Sequence, residues 1–247
     1  MYIIPAIDLI EGKCVRLTQG DFVQKKAYHD NPVEVAKSFE DQGIDRLHLV
    51  DLDGAKQKKV VNLKVLEQIA TQTRLHIDFG GGVQSDQDIE QVFNAGATQV
   101  TGGSIAVKHP ELFETWIDKY GADRIILGAD VKGEYIAVSG WQETSQHYLY
   151  DFLAKYLQKG IKYVICTDVS KDGLLQGTSV GLYQQIKKQF PQIQLIASGG
   201  VGVWADVEAL NPLGLFGVIV GKAIYEGNIS LQQIGQHYGS LVKKTEI

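Results

Sequence analysis

Leu195-Ile196-Ala197-Ser198-Gly199-Gly200-Val201 is the stretch that decides how this chain is read. An apolar run that stops at a serine and two glycines has the pattern of a parallel strand buried on both faces, and the glycines let the turn after it come close to a ligand. The same phrase stands earlier as Leu75-His76-Ile77-Asp78-Phe79-Gly80-Gly81-Gly82-Val83, with Gly81 lying 118 residues before Gly199. A second pair keeps that interval: Val100-Thr101-Gly102-Gly103-Ser104 is answered by Ile219-Val220-Gly221-Lys222, and Gly103 again precedes Gly221 by 118. Two glycine elbows at one spacing point to a duplication, with halves of about 1–121 and 122–247.

Outward from these elbows, strand-like runs fall at Ile3–Asp8, Arg46–Asp51, Leu75–Phe79, Gln99–Thr101, Ile125–Asp130, Tyr163–Asp168, Gln194–Ser198 and Gly217–Val220. Helical patterns lie between them at Pro32–Gln42, Leu63–Thr71, Asp86–Ala95, Pro110–Tyr120, Leu149–Lys159, Leu182–Phe190, Ala205–Leu210 and Leu231–Val242. Asn31-Pro32, Ser85-Asp86 and His109-Pro110 are helix-opening signals. Strict βα alternation with an internal repeat predicts one (β/α)8 TIM barrel over 1–247, whose active site lies where strands run into the following loops. The two longest connections, Ile10–Asn31 and Val131–Gln146, lie at that end and are expected to cover a substrate. Within the second, Glu134–Val138 reads as half of a short hairpin.

The bulk properties narrow the function class. With 247 residues and 44% hydrophobic content the chain has ample material for one core. No apolar run reaches the roughly 18 residues of a membrane span. The start, Met1-Tyr2-Ile3-Ile4-Pro5, reads as a strand and not as a leader, and two cysteines, Cys14 and Cys166, are too few for a disulfide framework, so a cytoplasmic protein is expected. A net charge of −5 argues against a nucleic-acid surface. An anionic ligand would be held by backbone N–H groups and a few placed cations.

Aligning the halves puts Asp8 on Asp130, the last residues of the first and fifth strand-like runs. In a closed barrel these strands stand opposite one another, so two carboxylates would face a common ligand, as proton abstraction paired with proton donation requires. Strand-end aspartates also serve as loop and helix caps, and Asp51 and Asp168, which end the second and sixth runs, fit structural or substrate-hydroxyl roles. Thr167 is either a hydroxyl partner or a plain β-branched strand residue, and Lys222 either a cationic contact or a solvated side chain. The symmetry-related elbows offer two nests of backbone donors, which suits a substrate with a phosphate at each end. The six histidines lack compact metal-ligand spacing, and His76 with Asp78 on one strand face reads as structural. No Gly-x-Ser-x-Gly elbow or P-loop is present, so no metal, nucleotide or other cofactor is expected.

Taken together the motifs resemble the isomerase family of histidine biosynthesis that acts on phosphoribosylformimino-aminoimidazole carboxamide ribotide (ProFAR). The resemblance runs nearly end to end and rests on Pro5-Ala6-Ile7-Asp8-Leu9, Gly12-Lys13, Val15-Arg16-Leu17, Gln19-Gly20-Asp21, His48-Leu49-Val50-Asp51-Leu52-Asp53-Gly54-Ala55, Gly80-Gly81-Gly82-Val83, Gly140-Trp141 and Thr167-Asp168-Val169-Ser170-Lys171-Asp172-Gly173. It implies a two-half (β/α)8 barrel that carries out a cofactor-free Amadori rearrangement on a bisphosphate substrate, with no obligatory protein partner. By this resemblance Asp8 is the general base, Asp130 the general acid and Thr167 a supporting hydroxyl, while Arg16, His48 and Trp141 contact or cover substrate. Gly82, Gly103 and Ser104 correspond to one phosphate site, Gly200, Gly221 and Lys222 to the other, and Asp168 and Gly173 fall in the substrate-binding set. Gln84 stands where many members carry Arg, and Leu174 where Thr is frequent. Three alternatives stay open: the cyclase subunit of imidazole glycerol phosphate synthase, an isomerase that also accepts phosphoribosylanthranilate, and a non-catalytic sugar-phosphate sensor.

Overall fold

The order of elements follows from where apolar runs alternate with amphipathic ones. In the computed structural model, which describes residues 1–245 with side chains through Tyr238, the chain opens with β1 (Tyr2–Ile10), a hairpin of β2 (Lys13–Thr18) and β3 (Asp21–His29), and α1 (Pro32–Glu40). There follow β4 (Arg46–Asp51), α2 (Leu52–Gln57), α3 (Leu63–Gln72), β5 (His76–Gly80), α4 (Asp86–Asn94), β6 (Gln99–Gly102), α5 (Ser104–Lys108) and α6 (Pro110–Tyr120). The second half runs through β7 (Ile125–Gly128), a small sheet of β8 (Val131–Lys132), β9 (Tyr135–Val138) and β10 (Glu143–Tyr148), then α7 (Leu149–Gln158), β11 (Tyr163–Thr167) and α8 (Val180–Gln189). It finishes with β12 (Gln194–Ser198), α9 (Trp204–Leu210), a 3-10 turn, β13 (Gly217–Val220), α10 (Lys222–Tyr225) and α11 (Leu231–Thr245). The last two residues of the 122–247 half lie outside the described residues.

Strands β1, β4, β5, β6, β7, β11, β12 and β13 pair in parallel, and β1 pairs with β13 in the register Tyr2↔Gly217 to Pro5↔Val220. The sheet is therefore closed. The outer core forms where helices cover the barrel, around fully buried Trp116, Tyr156, Tyr183, Phe39 and Phe79. Inside the barrel, Ile4, Ala6, Ile126, Ile165, Ile196 and Ile219 make a separate plug that closes the interior beneath the strand ends.

Helix starts bear out the capping signals: Asn31 Oδ1 accepts from Val33 N at 3.1 Å ahead of Pro32, and Ser85 Oγ accepts from Asp88 N at 3.2 Å. The first long connection is not an open loop, because β2 and β3 form an antiparallel hairpin against β1. The second is a small sheet in which β9 pairs with both β8 and β10. The hairpin half expected at Glu134–Val138 is β9 (Tyr135–Val138), whereas polar strand faces hid β3, exposed along most of its length, and β10, which has no buried residue.

The paired glycine elbows match in backbone as well as in sequence. Gly81 and Gly199 both have φ of 95°, Gly82 and Gly200 have 80° and 83°, and all lie where an L side chain is strained. Close approach forbids a side chain as well: a Cβ on Gly82 would stand 2.5 Å from the Lys59 carbonyl oxygen, and one on Gly200 2.2 Å from that of Gly177. Gly103 and Gly221, one elbow further on, share φ/ψ of −101°/−85° and −111°/−93°.

Candidate active site

Asp8 lies near the end of β1 and Asp130 two residues past β7, on opposite walls of the barrel. Both belong to one mouth, since His48 and Asp172 are each within electrostatic reach of both carboxyls. Burial pushes both carboxyls above the ordinary range. Their partners differ. Asp8 Oδ2 is ion-paired with Arg16 Nη1 at 2.9 Å, and both side chains are largely buried. Asp130 has only neutral donors in contact: Trp141 Nε1–H donates to its Oδ2 at 2.8 Å, and the Thr167 hydroxyl bonds to it as well. A cation in contact holds a carboxyl ionised, whereas neutral donors resist the upward push of burial less strongly. Both carboxyls are thus raised by burial, and they differ in what opposes it: the Arg16 cation at Asp8 and neutral hydrogen-bond donors at Asp130.

Trp141 reaches Asp130 from an unusual backbone. Ser139, Gly140 and Trp141 have φ of 58°, 63° and 69°, a left-handed run that two side-chain-bearing residues adopt only under constraint. The constraint is on the page: Ser139 N donates to Ser104 Oγ at 2.9 Å, Lys108 Nζ donates to Ser139 Oγ at 2.6 Å, and Gly20 of the β2–β3 turn lies against the indole. A Cβ on Gly20 would come within 2.8 Å of Trp141 Cε3. The hairpin is fastened in turn to the loop after β11, through Gln19 N to Asp172 O at 3.3 Å and Gln19 Nε2 to Ser170 O at 3.0 Å. Three loops therefore meet over the mouth.

A cavity at this end is lined by Arg16, Asp172, Gly173, Ser198, Gly200, Gly221 and Lys222. Lys222 Nζ donates to Gly173 O at 2.8 Å, which aims the ammonium across the cavity and not into solvent. The Arg16 guanidinium lies so close over Gly221 that a Cβ there would meet Cζ at 2.5 Å. Arg16 Nε is buried with no hydrogen-bond partner among the described residues.

Two of the strand-end aspartates are engaged by neighbouring loops. Asp51 is fully buried and caps α2 through Gly54 N at 2.8 Å, while also accepting from Val61 N at 2.7 Å and Asn62 N at 2.8 Å. Asp168 has both oxygens engaged locally: Oδ1 accepts from Ser170 N and Oγ, and Oδ2 from Ser179 Oγ at 2.5 Å. Asp168 therefore shapes the loop that carries Asp172. His76 is exposed and Asp78 is partnered by His48 instead, so the strand-face pairing of His76 with Asp78 is not formed. Among the described residues no group of three or more His, Cys, Asp or Glu side chains is placed to hold a metal ion. No helix among them is long and apolar enough to cross a membrane.

Asp172 gave no sign of its role in sequence beyond its place in a motif. Burial, helped by Asp8 and Asp130 and opposed by Arg16 and Lys222, pushes its carboxyl up to about 6 from an ordinary 3.8. The folded protein then holds this proton more tightly than the unfolded chain does. The stability so conferred is present in full below the ordinary carboxylate range and is lost as pH rises through about 6. Asp172→Asn is expected to raise the melting temperature at about pH 8 and leave it nearly unchanged at about pH 4, with thermal denaturation as the readout. An equal shift at both pH values would contradict this assignment.

The fold and mouth together define a class, the single-domain (β/α)8-barrel enzymes with a buried carboxyl on each side of the mouth. The chain belongs to the histidine biosynthesis protein family, whose model matches residues 2–230. It is 62% identical over 234 residues to a Cytophaga hutchinsonii protein named 1-(5-phosphoribosyl)-5-((5-phosphoribosylamino)methylideneamino)imidazole-4-carboxamide isomerase, covering 95% of this chain and 98% of that one. Proteins of the same name from Flavobacterium johnsoniae and Bacteroides thetaiotaomicron are 59% and 58% identical, over 95% and 94% of this chain and 98% and 97% of theirs.

Proposed function

We propose that the protein is the ProFAR isomerase, converting the aminoaldose to its aminoketose by an Amadori rearrangement in histidine biosynthesis. The observation that carries the mechanistic reading is the unlike surroundings of Asp8 and Asp130. Asp130 gives a proton to the ribose ring oxygen as the C1–O bond opens, and the glycosylic nitrogen supplies the electron pair that forms the iminium. Asp8 removes the C2 proton, giving an enaminol that tautomerises to the C2 ketone. Carbon is oxidised at C2 and reduced at C1 within one molecule, so no external redox partner enters the balance.

Trp141 and Thr167 orient the acid, and Arg16 keeps the base ionised until substrate arrives. The Gly82, Gly103 and Ser104 elbow is assigned one substrate phosphate. Gly200, Gly221 and Lys222, with Gly173 alongside, are assigned the other. Their matched backbones support this reading, because a two-ended ligand asks the same of both halves. We place the protein in the cytoplasm and assign it no obligatory protein partner. Incubating the purified chain with ProFAR is expected to give the aminoketose with no nucleotide or second protein added. An untouched aminoaldose would overturn the proposal, and so would ammonia-dependent cyclisation of the ketose, which would point to the sister cyclase.

A further inference from the structure

The barrel interior is chemically lopsided in a way the fold does not demand. At the 117 to 118-residue spacing of the two halves, the places of Ile165, Ile196 and Ile219 in the apolar plug are taken in the first half by His48, Asp78 and Thr101. The second half shows that isoleucine satisfies the packing at all three. The polar set is nevertheless well built: His48 Nδ1 lies 2.5 Å from Asp78 Oδ2, and the Thr101 hydroxyl donates to Asp78 Oδ1 at 2.6 Å. His48 and Asp78 are register partners on adjacent strands, β4 and β5, and both side chains are largely buried.

A carboxylate only accepts, so Nδ1 carries a proton and the tautomer is fixed by Asp78. Nε2 has no hydrogen-bond partner among the described residues, on a ring that feels Asp8, Arg16 and Asp130 from β1, β2 and the end of β7. We propose that Asp78, itself oriented by Thr101, is a positioning residue that keeps His48 doubly protonated and presents it as a cation to the substrate between Asp8 and Asp130. The proposal rests on the isomerase reading for its substrate. Attraction to Asp78 and Asp8 outweighs burial and Arg16, so the His48 imidazole stays protonated above its ordinary range. An isoleucine in the place of Asp78 would pack, but would surrender that charge.

The test compares Asp78→Asn and Thr101→Val with the wild type across about pH 6 to about pH 9, reading kcat and KM for ProFAR and the His48 titration by NMR. In Asp78→Asn the amide no longer holds the second proton. The expectation is a fall in kcat of about tenfold or more at about pH 8, a much smaller change in KM, and a variant-to-wild-type ratio that recovers as pH falls toward about 6.5. Thr101→Val, which keeps the carboxylate, is expected to shift the same quantities in the same direction by less. A ratio flat with pH, or a His48 titration identical in wild type and Asp78→Asn, would overturn the proposal. Should Asp78→Asn fail to fold, a Thr101→Val enzyme with wild-type titration and pH profile would overturn it equally. The NMR arm needs no substrate, so failure of the wild type to turn over ProFAR would count against the isomerase reading and leave this contact tested separately.

Discussion

Asp8→Asn is expected to yield a folded protein whose kcat for ProFAR is lower by about 10²- to 10⁴-fold, the range a positioned general base supplies. Asparagine preserves the outline of the side chain and its carbonyl oxygen can still accept from Arg16 Nη1, which in the wild type lies at 2.9 Å. What it lacks is basicity. Binding contacts to the two ends of the substrate are untouched, so KM should stay within a few fold and the loss should fall on kcat. Steady-state kinetics with a circular dichroism melt as control separates chemistry from unfolding. Turnover within about threefold of wild type would remove Asp8 from the role of base.

The second large effect concerns stability. Asp51 is fully buried and accepts from Gly54 N, Val61 N, Asn62 N and Asn62 Nδ2 at 2.6 to 2.8 Å. Asp51→Ala deletes every one of those acceptors and leaves the donors buried, at a cost of about 3–5 kcal/mol after partial relaxation. At roughly 2–4 °C per kcal/mol for a chain of this size, the melting temperature should fall by about 10 °C. Asp168→Ala serves as the internal comparison, since its partners are Ser170 and Ser179 in a more exposed loop, and it should cost markedly less. A urea midpoint for Asp51→Ala that moves no further than that for Asp168→Ala would contradict this account.

The barrel was legible because its signal is long-range and repeated. Arg46–Asp51, Gln194–Ser198 and Gly217–Val220 are strands at the boundaries their apolar runs set, and the glycine elbows are strand ends in both halves. Of the covering sheets only the β9 hairpin half was legible, since β3 and β10 pair through backbone groups while their side chains face outward and leave no alternation to read. The acidic pair was visible as a symmetry of position, but what divides it is not: the Arg16 contact to Asp8 and the Trp141 contact to Asp130 cross between elements. The local role of Asp168, accepting from Ser170 and Ser179, was not legible in sequence either. Lys108 and Ser139 carried no motif at all, and Asp78 stood out only as a strand-face neighbour of His76. Their parts come from partners distant in the chain, as in Lys108 to Ser139 and Asp78 to His48.

The seam between β1 and β13 also bears on how the polypeptide comes to be made. Tyr2–Pro5 pairs with Gly217–Val220, so a segment made early waits for one made about 215 residues later before that edge is satisfied. During synthesis the emerging N-terminal portion carries an unpaired, strongly apolar ribbon, the type of surface that invites sticking between nascent chains. A chain cut after the first half would leave unpaired the edge of β1 that meets β13 and the edge of β6 that meets β7.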